Sequence, residues 1–265
     1  MREKHAVLID FGKCIGCGQC VRDCVSVNLC VEDGKARVLR PDCLMCAHCV
    51  AVCPVNAVSI TGFPDPPAPI VDAHPIDPEK LLQALQARRS IRQFTREPVA
   101  DEALQRIIEA GRFTPTASNS QSVSYLVVAH RMKAAESAAV AFMRKLQKPV
   151  GLVMRAYRDT VIDENFLFKG APLAVVVLAP NNVDGALAAS NMALMAEAQG
   201  LGVLYSGFFT IAANHSRAVR RALGLKRGER AAATLVIGHP AVHYARTAPK
   251  ERAQVRDWVR SRFPE

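Results

Sequence analysis

Long apolar runs are missing from this 265-residue chain; the longest, residues 171–180, has the length of one buried strand and falls short of a membrane span. Aromatic residues are scarce, with 1 Trp and 4 Tyr, too few for the series of stacking platforms that single-stranded nucleic acid would require. A formal charge of +10 therefore comes without a nucleic-acid recognition motif. The N-terminal residues 1–5 are charged, but the apolar stretch that follows, residues 6–9, ends at Asp10 and is too short for the core of a signal peptide. The expectation is a reduced, cytoplasmic chain without a membrane or nucleic-acid partner. No nucleophile motif, acid–base pair or Gly-x-Gly-x-x-Gly after a strand is visible, and His215, His239 and His243 have no acid at a diagnostic spacing. Chemistry in such a chain rests on bound cofactors, with protein groups to hold and tune them.

What the chain does have is cysteine in a fixed pattern. Eight of 9 cysteines form two runs, Cys14, Cys17, Cys20 and Cys24, then Cys43, Cys46, Cys49 and Cys53, the second closed by Pro54. Runs of this spacing wrap 4Fe–4S cubes, three cysteines holding one cluster and the fourth crossing to the other. The expected ligand sets are Cys14, Cys17, Cys20 with Cys53, and Cys43, Cys46, Cys49 with Cys24. Zinc fits poorly, because structural zinc takes separated pairs of ligands. Disulfides fit worse, since the cysteine count is odd. His48 lies inside the second run as a spacer, and Cys30 reads as a small apolar filler. Asp33-Gly34 between the runs is a hairpin signal. Residues 7–61 resemble a bacterial two-cluster ferredoxin, departing from it where Val25 follows Cys24 in place of proline.

Two oxidised clusters would add about −4 to the formal charge and a bound phosphate up to about −2, leaving roughly +4. Much of the excess follows Asn214, where basic residues from Arg217 to Arg262 greatly outnumber Glu229, Glu251, Asp257 and Glu265. Such clusters are solvated faces, and an acidic redox protein is the partner they suit.

Residues 62–78 hold Pro64, Pro66, Pro67, Pro69, Pro75 and Pro78, which forbid continuous helix or central strand and make an extended linker. Asp77-Pro78 predicts a helix start, with Leu81, Leu82 and Leu85 as its stripe and an end near Arg88. A helix over residues 101–110, strands over 125–129, 173–179 and 234–237, and a small-residue helix over 186–199 follow. Without a regular βαβ beat the class is α+β or a mixed sheet.

Arg88, Arg89, Ser90 and Arg92, in the run to Phe94 directly after the first helix, offer guanidinium forks and a hydroxyl suited to a phosphate and to carbonyls. The segment Pro115-Thr116-Ala117-Ser118-Asn119-Ser120-Gln121 follows, and then Gly238-His239-Pro240, Tyr244 and Lys250-Glu251-Arg252. In order and spacing these motifs resemble the FMN-dependent nitroreductase family over about residues 81–258. The resemblance implies a homodimer with FMN at its interface. It places Arg88, Arg89, Ser90 and Arg92 at the phosphate, ribityl and pyrimidine side, with Lys250 and Arg252 closing round the phosphate. Pro115, Thr116, Ala117 and Asn119 would come from the other subunit against the isoalloxazine ring. Ser206 and Gly207, after Gly200-Leu201-Gly202, would pass near the flavin N5 edge; the same glycines also read as the end of one helix and the start of a strand. The departure is at Ser122-Val123-Ser124, where the family has proline and an aromatic, so substrate preference cannot be carried over.

The fold expected is α+β: a small ferredoxin-like two-cluster domain over residues 1–61, the linker over 62–78, and a nitroreductase-like mixed-sheet flavin domain over 79–265, homodimeric. The function expected is an iron–sulfur flavoprotein oxidoreductase. A low-potential electron donor feeds two 4Fe–4S clusters, FMN receives the charge, and a nitroaromatic, quinone or activated alkene takes it as a pair. Two alternatives stay open: a carrier between proteins without a small substrate, and an NAD(P)H-loaded enzyme that discharges through the clusters.

Overall fold

The computed structural model describes residues 5–70, 76–153 and 157–256. Part of the proline-rich linker, the end of the family resemblance at Trp258 and the last basic residues lie outside the described residues. The chain divides into two compact units, Met1–Pro75 with Thr114–Ser122, and Ile76–Phe113 with Val123–Glu265.

The first unit holds β1 (Val7–Ile9), α1 (Gln19–Arg22), β2 (Leu29–Glu32), β3 (Lys35–Val38), α2 (His48–Ala51) and β4 (Val58–Ile60), with a 3-10 turn at Ala117–Asn119. Strand β1 pairs antiparallel with β4, Val7 facing Ile60, and β2 pairs antiparallel with β3. The β2–β3 turn is made by Asp33 and Gly34 at φ 50° and 71°, both left-handed, as a two-residue hairpin turn demands. Its core is small: Leu29, Ala36, Val50, Ala57 and Val58 are buried together with Cys14, Cys20 and Cys49. A unit of this size needs a metal or another staple beyond its apolar core. Left-handed backbone at Gly16, Gly18 and Val27 recurs 29 residues on at Met45, Ala47 and Asn56. The cysteine repeat is thus also a backbone repeat.

The second unit contains α3 (Pro78–Ala87), α4 (Asp101–Arg112), β5 (Ser124–Val127), α5 (Met132–Val153), β6 (Leu173–Leu178), α6 (Asn182–Ala198), β7 (Gly202–Tyr205), α7 (Gly207–His215), α8 (Arg217–Leu223) and β8 (Ala231–Gly238). The sheet order is β5-β6-β8-β7, antiparallel at each pairing. Among the described residues the parallel component is an isolated bridge between Ser90 and Val203. Along β6, Ala174, Val176 and Leu178 pack on one side with residues of α5, α7 and α8, while Leu173, Val175 and Val177 pack on the other with α4 and α6. Burial on both faces explains the apolar run without alternation, each such side chain being worth about 1.5–3 kcal/mol.

Helix α3 begins as its sequence predicts, with Asp77 accepting from the backbone N–H of Glu79 at 3.0 Å and Lys80 at 3.2 Å. Its apolar stripe is uncovered in the single chain, Leu81, Leu82 and Leu85 being 39, 50 and 48% exposed. Helix α6 starts at Asn182, ahead of the expected residue 186, because Asn181 caps it by accepting from Asp184 N at 2.9 Å. The segment after α3 is extended and tied to the sheet edge. Ile91 N donates to Val203 O at 3.1 Å, Thr95 N to His239 O at 2.8 Å and Ala241 N to Gln93 O at 2.9 Å.

Candidate cofactor sites

The eight cysteines of the two runs gather around two separate spaces. Cys14, Cys17, Cys20 and Cys53 line one, and Cys24, Cys43, Cys46 and Cys49 line the other, each with about 20 Å³ of free volume. Cys53 thus lies with the first run and Cys24 with the second. Four thiols around one space match the four cysteine ligands of a cube. Backbone N–H groups point at the sulfurs: Ala36 to Cys14 Sγ at 3.3 Å and Ala57 to Cys53 Sγ at 3.2 Å, Asn28 to Cys24 Sγ at 3.3 Å and Met45 to Cys43 Sγ at 3.2 Å. Donors of this kind stabilise thiolate charge and tune a cluster's potential. The N–H of Ala36 is the first cause holding the Cys14 thiol below its ordinary value. Burial pushes the Cys49 thiol up to about 11, and the charges of Cys43 and Cys46 push the same way. At Cys49 a bound cation would offset that opposition to the thiolate. His48 lines the second space while its Nδ1 lies 3.3 Å from Asp23 Oδ2, in keeping with a spacer.

In the second unit, a cleft of about 620 Å³ opens at the C-terminal end of α3, lined by Arg88, Arg89, Ser90, Arg92 and Lys250 together with Gln86 and Thr247. Four cations and no carboxylate face it. Among the described residues none of the four is in an ion pair. The Nη1 atom of Arg88 is buried without a hydrogen-bond partner. A buried unmet donor costs about 1–3 kcal/mol, more when charged, so it marks a place where a ligand's acceptor belongs. Burial raises Glu197 and Tyr205, and the Arg88 charge pulls both back down, which places the guanidinium near α6 and β7. Arg89 lies with its guanidinium carbon 5.9 Å from the Tyr244 ring centre. Arg252 is not among the lining residues, so only the lysine of the expected clamp faces the cleft.

Arg92 also lines a second cleft, of about 460 Å³, with Phe166, Leu167, Lys169, Tyr205, Ser206, Gly207 and Phe208. Ser206 stands at the N-cap position of α7 without a capping bond, and its hydroxyl is used internally, donating to Leu167 O at 2.9 Å. Its place in the cleft thus comes from the chain path, while Gly207 opens the helix with free space where a Cβ would stand. Glu136, on α5 and buried, accepts from Leu167 N at 3.0 Å and Phe168 N at 2.7 Å. Leu167 is thereby held at both its N–H and its carbonyl. Neither Glu136 nor Lys169 was legible as a site residue; a lone glutamate amid an alanine-rich stretch was the available hint. His239, expected to lack an acid partner, lies with Nε2 3.7 Å from Glu97 Oε1.

The loop of Pro115, Thr116, Ala117 and Asn119 belongs to the first unit. There Asn119 Nδ2 donates to Met45 O at 2.6 Å, between two cysteines of the second run. Gln121 N donates to Thr116 Oγ1 at 2.9 Å and closes the loop on itself.

A family model described as the nitroreductase family matches residues 85–239, more than half of the chain. The chain belongs to the nitroreductase family. A 4Fe-4S dicluster domain model matches residues 6–54 of the same nitroreductase-family chain. An NADPH-flavin oxidoreductase of Vibrio harveyi is 29% identical over 163 residues, covering 60% of this chain and 65% of the relative. A ferredoxin of Pyrobaculum islandicum is 43% identical over 63 residues, 23% of this chain and 59% of the ferredoxin. The chain thus spans about two thirds or less of the length of each. The crystal structure of a nitroreductase-like protein in complex with FMN from Desulfovibrio desulfuricans superposes with a TM-score of 0.51 at 26% identity, covering 72% of this chain and 100% of that one. Among the described residues no helix is long and apolar enough to cross a membrane.

Proposed function

We propose that this nitroreductase-family chain is an iron–sulfur flavoprotein oxidoreductase, carrying two 4Fe–4S clusters and one FMN. The observation that carries the flavin is the cationic cleft with its buried, unpartnered Arg88 Nη1. Arg88, Arg89, Arg92 and Lys250 would neutralise the phosphate, Ser90 would hydrogen-bond beside them, and Arg252 would add long-range positive charge. Arg92, common to both clefts, would reach from the phosphate side to the ring side. The backbone of Ser206 and Gly207 would lie along the ring edge, at the positive end of α7. Bound there, FMN supplies transfer of a hydride or electron pair to an electron-poor small molecule.

The uncovered Leu81, Leu82 and Leu85 stripe favours a homodimer, in which Pro115, Thr116, Ala117 and Asn119 of the second subunit would line the ring. The Asn119 bond to Met45 ties that same loop to the second cysteine run and favours the clusters as the electron entry. A low-potential one-electron donor, an acidic redox protein in keeping with the basic chain, would deliver to them.

The test is anaerobic iron, sulfide and flavin analysis followed by turnover of a nitroaromatic with a reduced ferredoxin as donor. A full-length Cys17→Ser, Cys46→Ser variant should keep FMN and any turnover driven by chemically reduced flavin, and lose turnover driven by the ferredoxin. Undiminished ferredoxin-driven rates would remove the clusters from the route.

A further inference from the structure

The 29-residue repeat that relates the two cysteine runs also relates their surroundings, yet the charges do not follow it. Beside the first run, Lys35 Nζ donates to Cys14 O at 2.6 Å and Arg22 Nη1 donates to Cys17 O at 3.2 Å. Strand β3 corresponds to β1 in the repeat, and α1 to α2, so the matching places at the second run are held by Ala6 and Ala51. The residues just ahead of the ligands lean the same way. Lys13 stands before Cys14 and Asp42 before Cys43, while Val52 stands before Cys53 and Asp23 before Cys24.

These charges do not count equally. Lys13 is matched by Asp10 at 3.1 Å. On the second side Asp23 lies 3.3 Å from His48 Nδ1. Arg40 brings a cation there, its Nη2 donating to Ser26 O at 2.8 Å, but Asn28 draws Asp42 to it by donating to both backbone carbonyls at 2.9 Å. Among the described residues neither Lys35 nor Arg22 is in an ion pair. Lys35 is also half-buried, so its charge is screened less than that of the exposed Arg22. The N–H groups of Ala36 and Gly16 hold the Cys14 thiol low, and the Lys35 charge adds to them. Reduction places one more negative charge on a cluster, which nearby positive charge favours. An unpaired charge at about 10 Å, at an effective dielectric of about 20, shifts such an equilibrium by roughly tenfold.

We infer that Lys35, supported by Arg22, makes the cluster site of Cys14, Cys17, Cys20 and Cys53 the easier of the two to reduce, so that the unit fills with electrons in a fixed order. The inference rests on the two-cluster reading proposed above and names the residue that orders the pair. One electron from the low-potential donor protein, which is oxidised by one, comes to rest at the first site. If it enters at the second site, that site is reoxidised as the first is reduced, and no bond or proton changes place. A second electron then reduces the second site, where the Met45 carbonyl holds Asn119.

The experiment is a potentiometric titration of the anaerobically prepared full-length holoprotein, followed by low-temperature EPR of the reduced clusters. Iron and sulfide are measured on the same samples. The wild-type protein should show two one-electron waves whose electron partition differs by at least about tenfold, a separation of about 59 mV. Lys35→Met should lower the upper wave and leave the lower one in place. Lys35→Arg keeps the charge and should hold the upper wave near its wild-type position, which separates lost charge from lost packing. Arg22→Met should lower the upper wave by less. Ala6→Lys, at an exposed position, should raise the lower wave. A single wave from protein with about eight irons would overturn the inference, as would an upper wave that falls no further in Lys35→Met than in Lys35→Arg. Where Lys35→Met does not hold its clusters, a lower wave unmoved by Ala6→Lys overturns it instead. Protein without acid-labile sulfide would refute the two-cluster reading itself.

Discussion

Arg88→Met separates a ligand-binding arginine from a structural one, because the two roles give opposite signs in flavin-free and flavin-loaded protein. The substitution keeps the apolar stem and removes a guanidinium whose Nη1 is buried without a partner. In flavin-free protein that donor costs about 1–3 kcal/mol, so its removal should leave stability unchanged or raise it. Against this stands the lost attraction to Glu197, whose carboxyl the Arg88 charge holds down against burial. That pair is partly exposed and not in direct contact, so its worth stays below about 1 kcal/mol. In loaded protein the variant loses a charge-assisted bond of about 1.5–3 kcal/mol, a weakening of roughly 10- to 150-fold. At a flavin concentration about 100 times the wild-type Kd, bound ligand adds about 2.7 kcal/mol. With Kd raised about thirtyfold the same concentration adds only about 0.9 kcal/mol. At about 2–4 °C per kcal/mol, the flavin-induced rise in melting temperature should shrink by roughly 4–7 °C. Thermal melts with and without FMN read both numbers. A drop of several degrees in the flavin-free protein, with the flavin-induced rise intact, would refute the reasoning and make Arg88 a structural cation.

Cys24→Ser should strip the cluster on Cys43, Cys46 and Cys49, with which Cys24 shares a space, lowering iron from about eight to about four per chain; loss at Cys14, Cys17 and Cys20 instead would contradict the crossing. Gly16→Ala should damage the first cluster, since a Cβ there would stand 2.2 Å from Gly34 O, whereas Gly34→Ala meets nothing within 4 Å and should cost only the left-handed penalty of about 1–2 kcal/mol. Iron retention on mild heating ranks the two. Glu136 is raised above its ordinary 4.5 by burial, which outweighs its two backbone donors. The folded state then holds the proton more tightly than the unfolded state, so stability is greatest below about pH 4.5 on this account and falls as pH rises toward the folded value. Glu136→Gln keeps an acceptor for Leu167 and Phe168 and should flatten that fall; denaturant melts from pH 4 to 7 that keep the wild-type slope would assign the slope to other groups.

The grouping of the eight cysteines into two sets was readable because its pattern is local: the spacing of a thiol run fixes the loop that carries it. The Asp33-Gly34 turn and the Asp77-Pro78 helix start were readable for the same reason, each being settled within four residues. Helix α5 was not delimited, since its alanine-rich stretch carries no cap signal and its Pro149 argues against the last turn. The cationic cleft was half legible. The arginine run announces charge, but the buried Nη1 depends on β7 and α6, more than a hundred residues away, and Lys250 on a segment without regular structure. Glu136 was invisible because its partners are backbone N–H groups, which leave no mark in a sequence. Burial of Ser206 against Leu167 likewise depends on distant backbone, so its hydroxyl role could not be foreseen.

The left-handed positions 16, 18 and 27, matched by 45, 47 and 56, have a directional consequence for how the two halves of the cluster unit can change. Torsion angles are shared between the halves while residue types are not: glycines hold the first loop, and Met45 and Ala47 hold the second. At Gly16 the space a side chain needs is already taken by the carbonyl of the hairpin turn, so the first loop is locked to glycine by its neighbour as well as by its torsion. Placing glycine at 45 and 47 therefore relieves strain, whereas the reverse exchange at 16 forces a side chain into the Gly34 backbone. Divergence between the halves is a one-way street, open on the side of the second run, and variation in the tuning of the two clusters is freer there.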